Sequence, residues 1–93
     1  MTIGLCRLVL HLPESGSLKN KRNLLASIVT RIRNKFNVSI SELDDNELWQ
    51  KATLGVAIVS NESRYANRVL SKVVDMVKAD IRVELLDYSL EMI

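Results

Sequence analysis

What the chain has little of narrows the reading first. Its 93 residues include one cysteine, one histidine, one proline and four aromatic side chains. With Cys6 alone, no internal disulfide can form, which suits a reducing cytoplasm. Cys6 and His11 stand five apart, so a strand puts them on opposite faces. They therefore make no thiolate–imidazole pair, and one chain cannot supply the three or four such ligands of a zinc site. No complete catalytic constellation is present, so the expectation is a non-enzymatic protein without metal or cofactor. No apolar run approaches the roughly 20 residues that cross a bilayer, so no membrane association is expected. The apolar opening, broken by Arg7, has neither a basic leader nor a small-residue cleavage site and reads as a strand, not a signal peptide. The remaining composition, 47% apolar and 26% charged with net charge +2, is that of an ordinary globular protein, expected to form a single domain over residues 1–93.

One local absence is more pointed. Residues 17–36, SLKNKRNLLASIVTRIRNKF, contain six basic residues and no acid. The other 73 residues hold seven basic residues and all eleven acids, so a +6 segment sits in a −4 remainder.

In chain order, residues 2–12 are apolar on both alternating faces: Cys6, Leu8, Leu10 and Leu12 on one, and Ile3, Leu5 and Val9 with Arg7 and His11 on the other. That is the pattern of a central strand. Pro13, Ser15, Gly16 and Ser17 interrupt it, and Ser17 is a good helix N-cap. At 100° per residue, Leu18, Leu25, Ile28, Val29, Ile32 and Phe36 share the buried stripe of a first helix. Asn20, Asn23, Ser27, Thr30 and Asn34 lie opposite. Lys19, Arg22 and Arg33 occupy one flank, Arg31 and Lys35 the other, and Lys21 projects near the stripe at the helix start.

A strand over 38–43, a turn at 44–46 and a short stretch ELWQK with the look of one helical turn lead into a second buried strand over 51–59. Ser60 or Asn61 then caps a second helix with Glu62 in its first turn and Ala66, Val69, Leu70, Val73 and Val77 on its buried stripe. Asp80 ends that helix, and residues 81–92 form a last strand. The β-α-β-β-α-β order with right-handed crossovers gives an α+β, ferredoxin-like sandwich: an antiparallel four-stranded sheet in order 4-1-3-2 with both helices on one face.

Three surfaces stand out. Gly16 and Ser17 with Lys19, Lys21 and Arg22 crowd cations and unpaired backbone amides at a helix start, the expected hold for phosphate or carboxylate. Arg31, Arg33 and Lys35 extend it, as a face contacting several phosphates without reading sequence. The uncharged outer ridge argues against a helix laid along its whole surface in a groove. The open sheet face lacks the aromatics on central strands with which RNA-recognition motifs stack bases. With Leu5, Arg7, Val9, His11, Leu86, Tyr88 and Leu90 it reads instead as a subunit contact, giving a homo-oligomer, most simply a dimer. Trp49 is expected to pack the hairpin against the sheet or to serve as an exposed recognition aromatic. Asp44, Asp45 and Glu47 lack the spacing and glycine of a divalent-cation loop and read as a solvated turn. An acylphosphatase-like hydrolase is the least favoured reading, because the glycine-rich loop and arginine of that class are missing from PESGSLKNKR.

The SLK-x-KR opening (Ser17, Leu18, Lys19, Lys21, Arg22), FNVS at 36–39, LWQKA at 48–52 and GVA-x-VSN at 55–61 together resemble the YlxP-like family, small bacterial proteins of uncharacterised function, over essentially the whole chain. The resemblance implies the ferredoxin-like fold. Members are often encoded among translation and ribosome-maturation genes, which implies contact with rRNA or a ribosomal subunit. The position of Asn20 is acidic in many of them, so this helix start is more basic. The leading expectation is a cytoplasmic RNA- or ribosome-associated module; the alternative is an oligomeric protein-interaction or small-anion-sensing domain.

Overall fold

The computed structural model describes residues 1–44 and 47–93; Asp45 and Asn46, two of the three residues of the expected 44–46 turn, with Asp45 also one of the three acids of the cluster, lie outside the described residues. The elements follow in the order β1 (Thr2–His11), α1 (Leu18–Lys35), β2 (Ser39–Asp44), β3 (Lys51–Ser60), α2 (Ser63–Lys78) and β4 (Glu84–Met92). The sheet order is β2-β3-β1-β4, every neighbouring pair is antiparallel, and the fold is the ferredoxin-like α+β sandwich expected.

β1 is central because it is apolar on both faces. Cys6, Leu8 and Leu10 are buried toward the helices and pair across the ladder with Val56, Leu54 and Ala52. Leu25, Ile28 and Ile32 of α1 and Val69, Leu70, Val73 and Val77 of α2 close the core from above. Gly4 permits that closure. A Cβ there would lie 2.9 Å from Leu70 Cδ1 and 3.0 Å from Ile58 Cγ2, so a larger residue would force the Leu70 and Ile58 side chains to shift.

Ser17 is the N-cap of α1, its Oγ accepting the Asn20 N–H at 3.1 Å. The second helix begins later than the sequence suggests. Glu62 occupies the cap position without a side-chain cap bond, while Ser60 Oγ accepts the Glu62 N–H and Thr2 Oγ1 meets Ser63 Oγ at 2.8 Å. The last strand also begins later, at Glu84, because residues 80–83 form a turn built on Asp80. ELWQK contains a turn and bends rather than a helical turn. Its Gln50 ties the hairpin to the β1–α1 loop: Leu12 N–H donates to Gln50 O at 2.9 Å, and Gln50 Nε2 donates to the Pro13 and Ser15 carbonyls at 3.3 Å each. Trp49 does not anchor the hairpin; it remains 54% exposed beside His11, Leu48 and Lys51.

Candidate nucleic-acid interface

The three cations at the start of α1 do not act as a group. Lys21 retains 1% of its surface and its Nζ lies 3.0 Å from Glu42 Oε2 on β2. A buried ammonium beside a carboxylate is a structural ion pair, so Lys21 leaves the set that can reach an outside phosphate. The 100° spacing puts it near the apolar stripe; which acid meets it depends on β2 lying beneath that edge of the helix. Ser17 is occupied as the cap, Gly16 is exposed in the loop, and Lys19 and Arg22 face solvent.

The remaining cations of α1 divide by flank as the wheel indicates. Arg33 belongs to the flank that faces β2, where its Nη2 donates to Ile40 O at 2.9 Å. Lys19 and Arg22 share that side, and α1 spreads Lys19 and Arg33 about 21 Å along its axis. On the flank toward α2, Arg31 Nη1 lies 3.6 Å from Asp80 Oδ2, and Lys35 Nζ sits 5.8 Å from the Phe36 ring.

The sequence reading missed the second helix as a source of charge. Arg64, Arg68 and Lys72, four residues apart, are all exposed and form one outward stripe, since that spacing returns to the same helix face. Arg68 also lies over the Tyr65 ring at 6.0 Å. Lys35 and Lys72, one from each helix, line a shared groove of about 610 Å³ with Phe36, Asp75 and Met76. Together the two helices carry ten of the thirteen basic residues and one of the eleven acids, Asp75. Their layer is therefore +9 and the rest of the chain −7, a segregation much sharper than the +6 and −4 of the linear sequence. The signal was available in the sequence as the lone acid of α2, but it gains meaning only when both helices lie on one face.

Asp80 organises the junction between the helices. It accepts from Arg82 N at 3.0 Å, from Arg82 Nε at 2.9 Å and from Arg82 Nη2 at 2.7 Å, while Arg82 Nη1 donates to Ser27 Oγ on α1 at 3.2 Å. The Arg82 hydrogen bond holds the Asp80 carboxyl below the ordinary carboxylate range despite its burial. Asp80 is thus a tether between α2, the following turn and α1, and not merely a helix stop.

The open sheet face needs a correction. Leu5, Arg7, Val9 and His11 lie on it, with Arg7 Nη2 3.1 Å from Asp44 Oδ2 and His11 Nδ1 3.6 Å from Glu84 Oε2. Tyr88 and Leu90 do not. They pair with Leu8 and Cys6, whose side chains face the helices, and Lys78 of α2 sits over the Tyr88 ring at 5.0 Å. A bulge between Leu85 and Asp87 shifts the alternation, leaving Leu86 as its extra, exposed residue and sending Asp87, Ser89 and Glu91 to the open face. Cys6 is buried beneath the helices, and desolvation pushes its thiol up to about 11. No helix of the described residues is long and apolar enough to cross a membrane.

The family model described as "Protein of unknown function (DUF503)" matches residues 3–90. The chain is also similar to a protein of Bacillus subtilis (strain 168) named "Uncharacterized protein YlxP", with 37% identity over 79 residues, covering 85% of this chain and 84% of that relative.

Proposed function

The chain belongs to the DUF503 family, whose description assigns no activity, and from its own surface we propose that it is a non-enzymatic RNA-binding module whose helix layer contacts phosphates, with ribosomal RNA as the partner class. The observation that carries this is the +9 helix layer over a −7 remainder, which stays at +8 over −6 when the buried Lys21–Glu42 pair is set aside. Cations spread along two neighbouring helices neutralise several phosphates of a folded RNA and release its counterions, giving affinity without base reading. Lys19, Arg22 and Arg33 supply one margin, and Arg64, Arg68 and Lys72 the other. Lys35 bridges toward α2, and Arg31 shares its charge with Asp80. The sheet is a poorer base-stacking platform: β1 and β3 place no aromatic on its open side.

The test is binding of a ribosomal subunit, and of folded rRNA fragments, across a salt series. Affinity should fall steeply and linearly in a log–log plot. Lys19→Glu with Arg22→Glu, and separately Arg64→Glu with Arg68→Glu, should each weaken binding about tenfold or more and flatten the salt slope. Lys51→Glu on the sheet side changes net charge without touching the helix layer and should leave the slope alone. Losses in proportion to the charge removed, with Lys51→Glu costing about half as much as each pair, would mean that only net charge matters, and absence of salt-sensitive binding would overturn the reading.

A further inference from the structure

With both helices on one side, the opposite side of the sheet faces solvent, and Leu5, Val9 and Ala57 flank an ion-paired Arg7 at its centre. Large and small residues are sorted there by strand. β1 presents Leu5, Arg7 and Val9, and their cross-strand partners on β3 are Ala57, Gly55 and Thr53. Above Gly55 and Ala57 lies a concavity of about 410 Å³, bounded by Leu5, Arg7 and Leu43 and edged by Ser39 and Ser41 of β2. Leu43 reaches into it from a bulge in β2, where a Cβ on Gly55 would approach its Cδ1 to 2.7 Å.

We propose that a second copy of this chain covers the face, related by a two-fold axis parallel to the strands and lying over the boundary between β1 and β3. Such an axis keeps each residue at its own height along the strands and sets β1 over the partner's β3. Leu5 then stands over the partner's Ala57, and Arg7, held by its own Asp44, stands over the Leu43 side chain that caps the partner's Gly55, so the projecting Leu5 of each copy enters the hollow of the other.

Area supports this arrangement, and charge opposes the alternative axis more than this one. The axis places β4 over the partner's β2, so Glu91 meets the partner's Ser39, and Asp87 meets the partner's Asp44, which its own Arg7 neutralises. An axis across the strands would instead stack the two acidic β4 margins on each other. Strands of 10, 6, 10 and 9 residues, at about 3.3 Å per residue and 4.8 Å between strands, span about 550 Å². Pairing two such faces buries about 1,100 Å², just above the roughly 1,000 Å² that a specific interface needs. Both helix layers then face outward, leaving the proposed RNA contacts free, and the dimer stands or falls independently of them.

Sedimentation equilibrium at 5–200 µM, about the range for a modest interface of this size, should give twice the 10.5 kDa chain mass at the upper end. Ala57→Glu and Leu5→Lys should each weaken pairing about 100-fold while retaining the far-ultraviolet spectrum. An equimolar mixture of these two variants should recover dimer, because one new lysine would face one new glutamate and the second contact stays native. Ser39→Glu, an exposed β2 position that meets the partner's Glu91, is a second dissociating variant should Ala57→Glu misfold. A wild-type monomer throughout, folded variants that remain dimeric, or a mixture that stays monomeric would overturn the proposal. A dimer broken only by Leu86→Pro would assign pairing to the β4 edge and likewise overturn it.

Discussion

Lys21 lies 3.0 Å from Glu42 Oε2 and keeps 1% of its surface in solvent, so deleting its ammonium removes an internal tie and not a surface charge. Lys21→Ala is expected to cost about 3 kcal/mol in urea unfolding, whereas Lys19→Ala, on an exposed site, should change stability by less than about 0.5 kcal/mol. Replacing both partners by apolar residues, Lys21→Met with Glu42→Leu, should cost much less than the sum of the single changes. Equal effects for Lys21 and Lys19 would contradict the burial argument. Cys6 gives a second expectation at this scale. Its thiol stands at about 11 against an ordinary 9.0, so near pH 8 the native protein holds about 100-fold less thiolate than the unfolded chain. Iodoacetamide should modify Cys6 at least that much faster in denaturant, and comparable rates would show that the thiol is accessible. Ser17 was legible in the sequence because a cap interacts with an amide three residues on. Lys21 was not, because its counter-ion comes from a strand twenty-one residues away.

At the scale of elements, the turn between α2 and β4 depends on Asp80. Its folded pKa is depressed, so its contribution is present above the unfolded carboxyl pKa and is lost as pH falls through the lower folded value. Asp80→Asn should therefore destabilise by about 2 kcal/mol at pH 7 and show a shrinking difference from wild type as pH drops below about 4. A difference that stays constant down to pH 2 would mean that the Asp80–Arg82 link contributes no charge. The same region shows where strand reading fails. The alternation of β1 predicts its faces correctly because ten residues run without interruption. In β4 the bulge at Leu86 reverses the parity, carrying Tyr88 and Leu90 to the helix side, and no local sequence feature marks that shift. The start of α2 was misplaced by a residue or two for a related reason: the strand-end serine, Ser60, binds the Glu62 amide instead of capping the helix.

For the whole molecule, the helices form a cationic layer and the sheet with its loops an acidic one. The RNA contact proposed above should run through the helix side. Arg64→Glu with Arg68→Glu should therefore weaken salt-sensitive binding at least as much as the same reversal at Lys19 and Arg22, although the linear sequence points only to the latter pair. Retention of full affinity after reversal on α2 would confine the interface to α1.

The sequence by itself determined the order of elements, the centrality of β1, the cap at Ser17 and the two basic flanks of α1, since each follows from periodicity or from chemistry a few residues apart. Membership of the family was readable from the same local motifs. Only the tertiary structure decided which cations remain available, that α2 joins α1 in one positive layer, and which β4 side chains share the open face. Those outcomes depend on strand register and on charges far apart in sequence meeting across packed elements, where one acid on β2 converts Lys21 from a surface cation into part of the core.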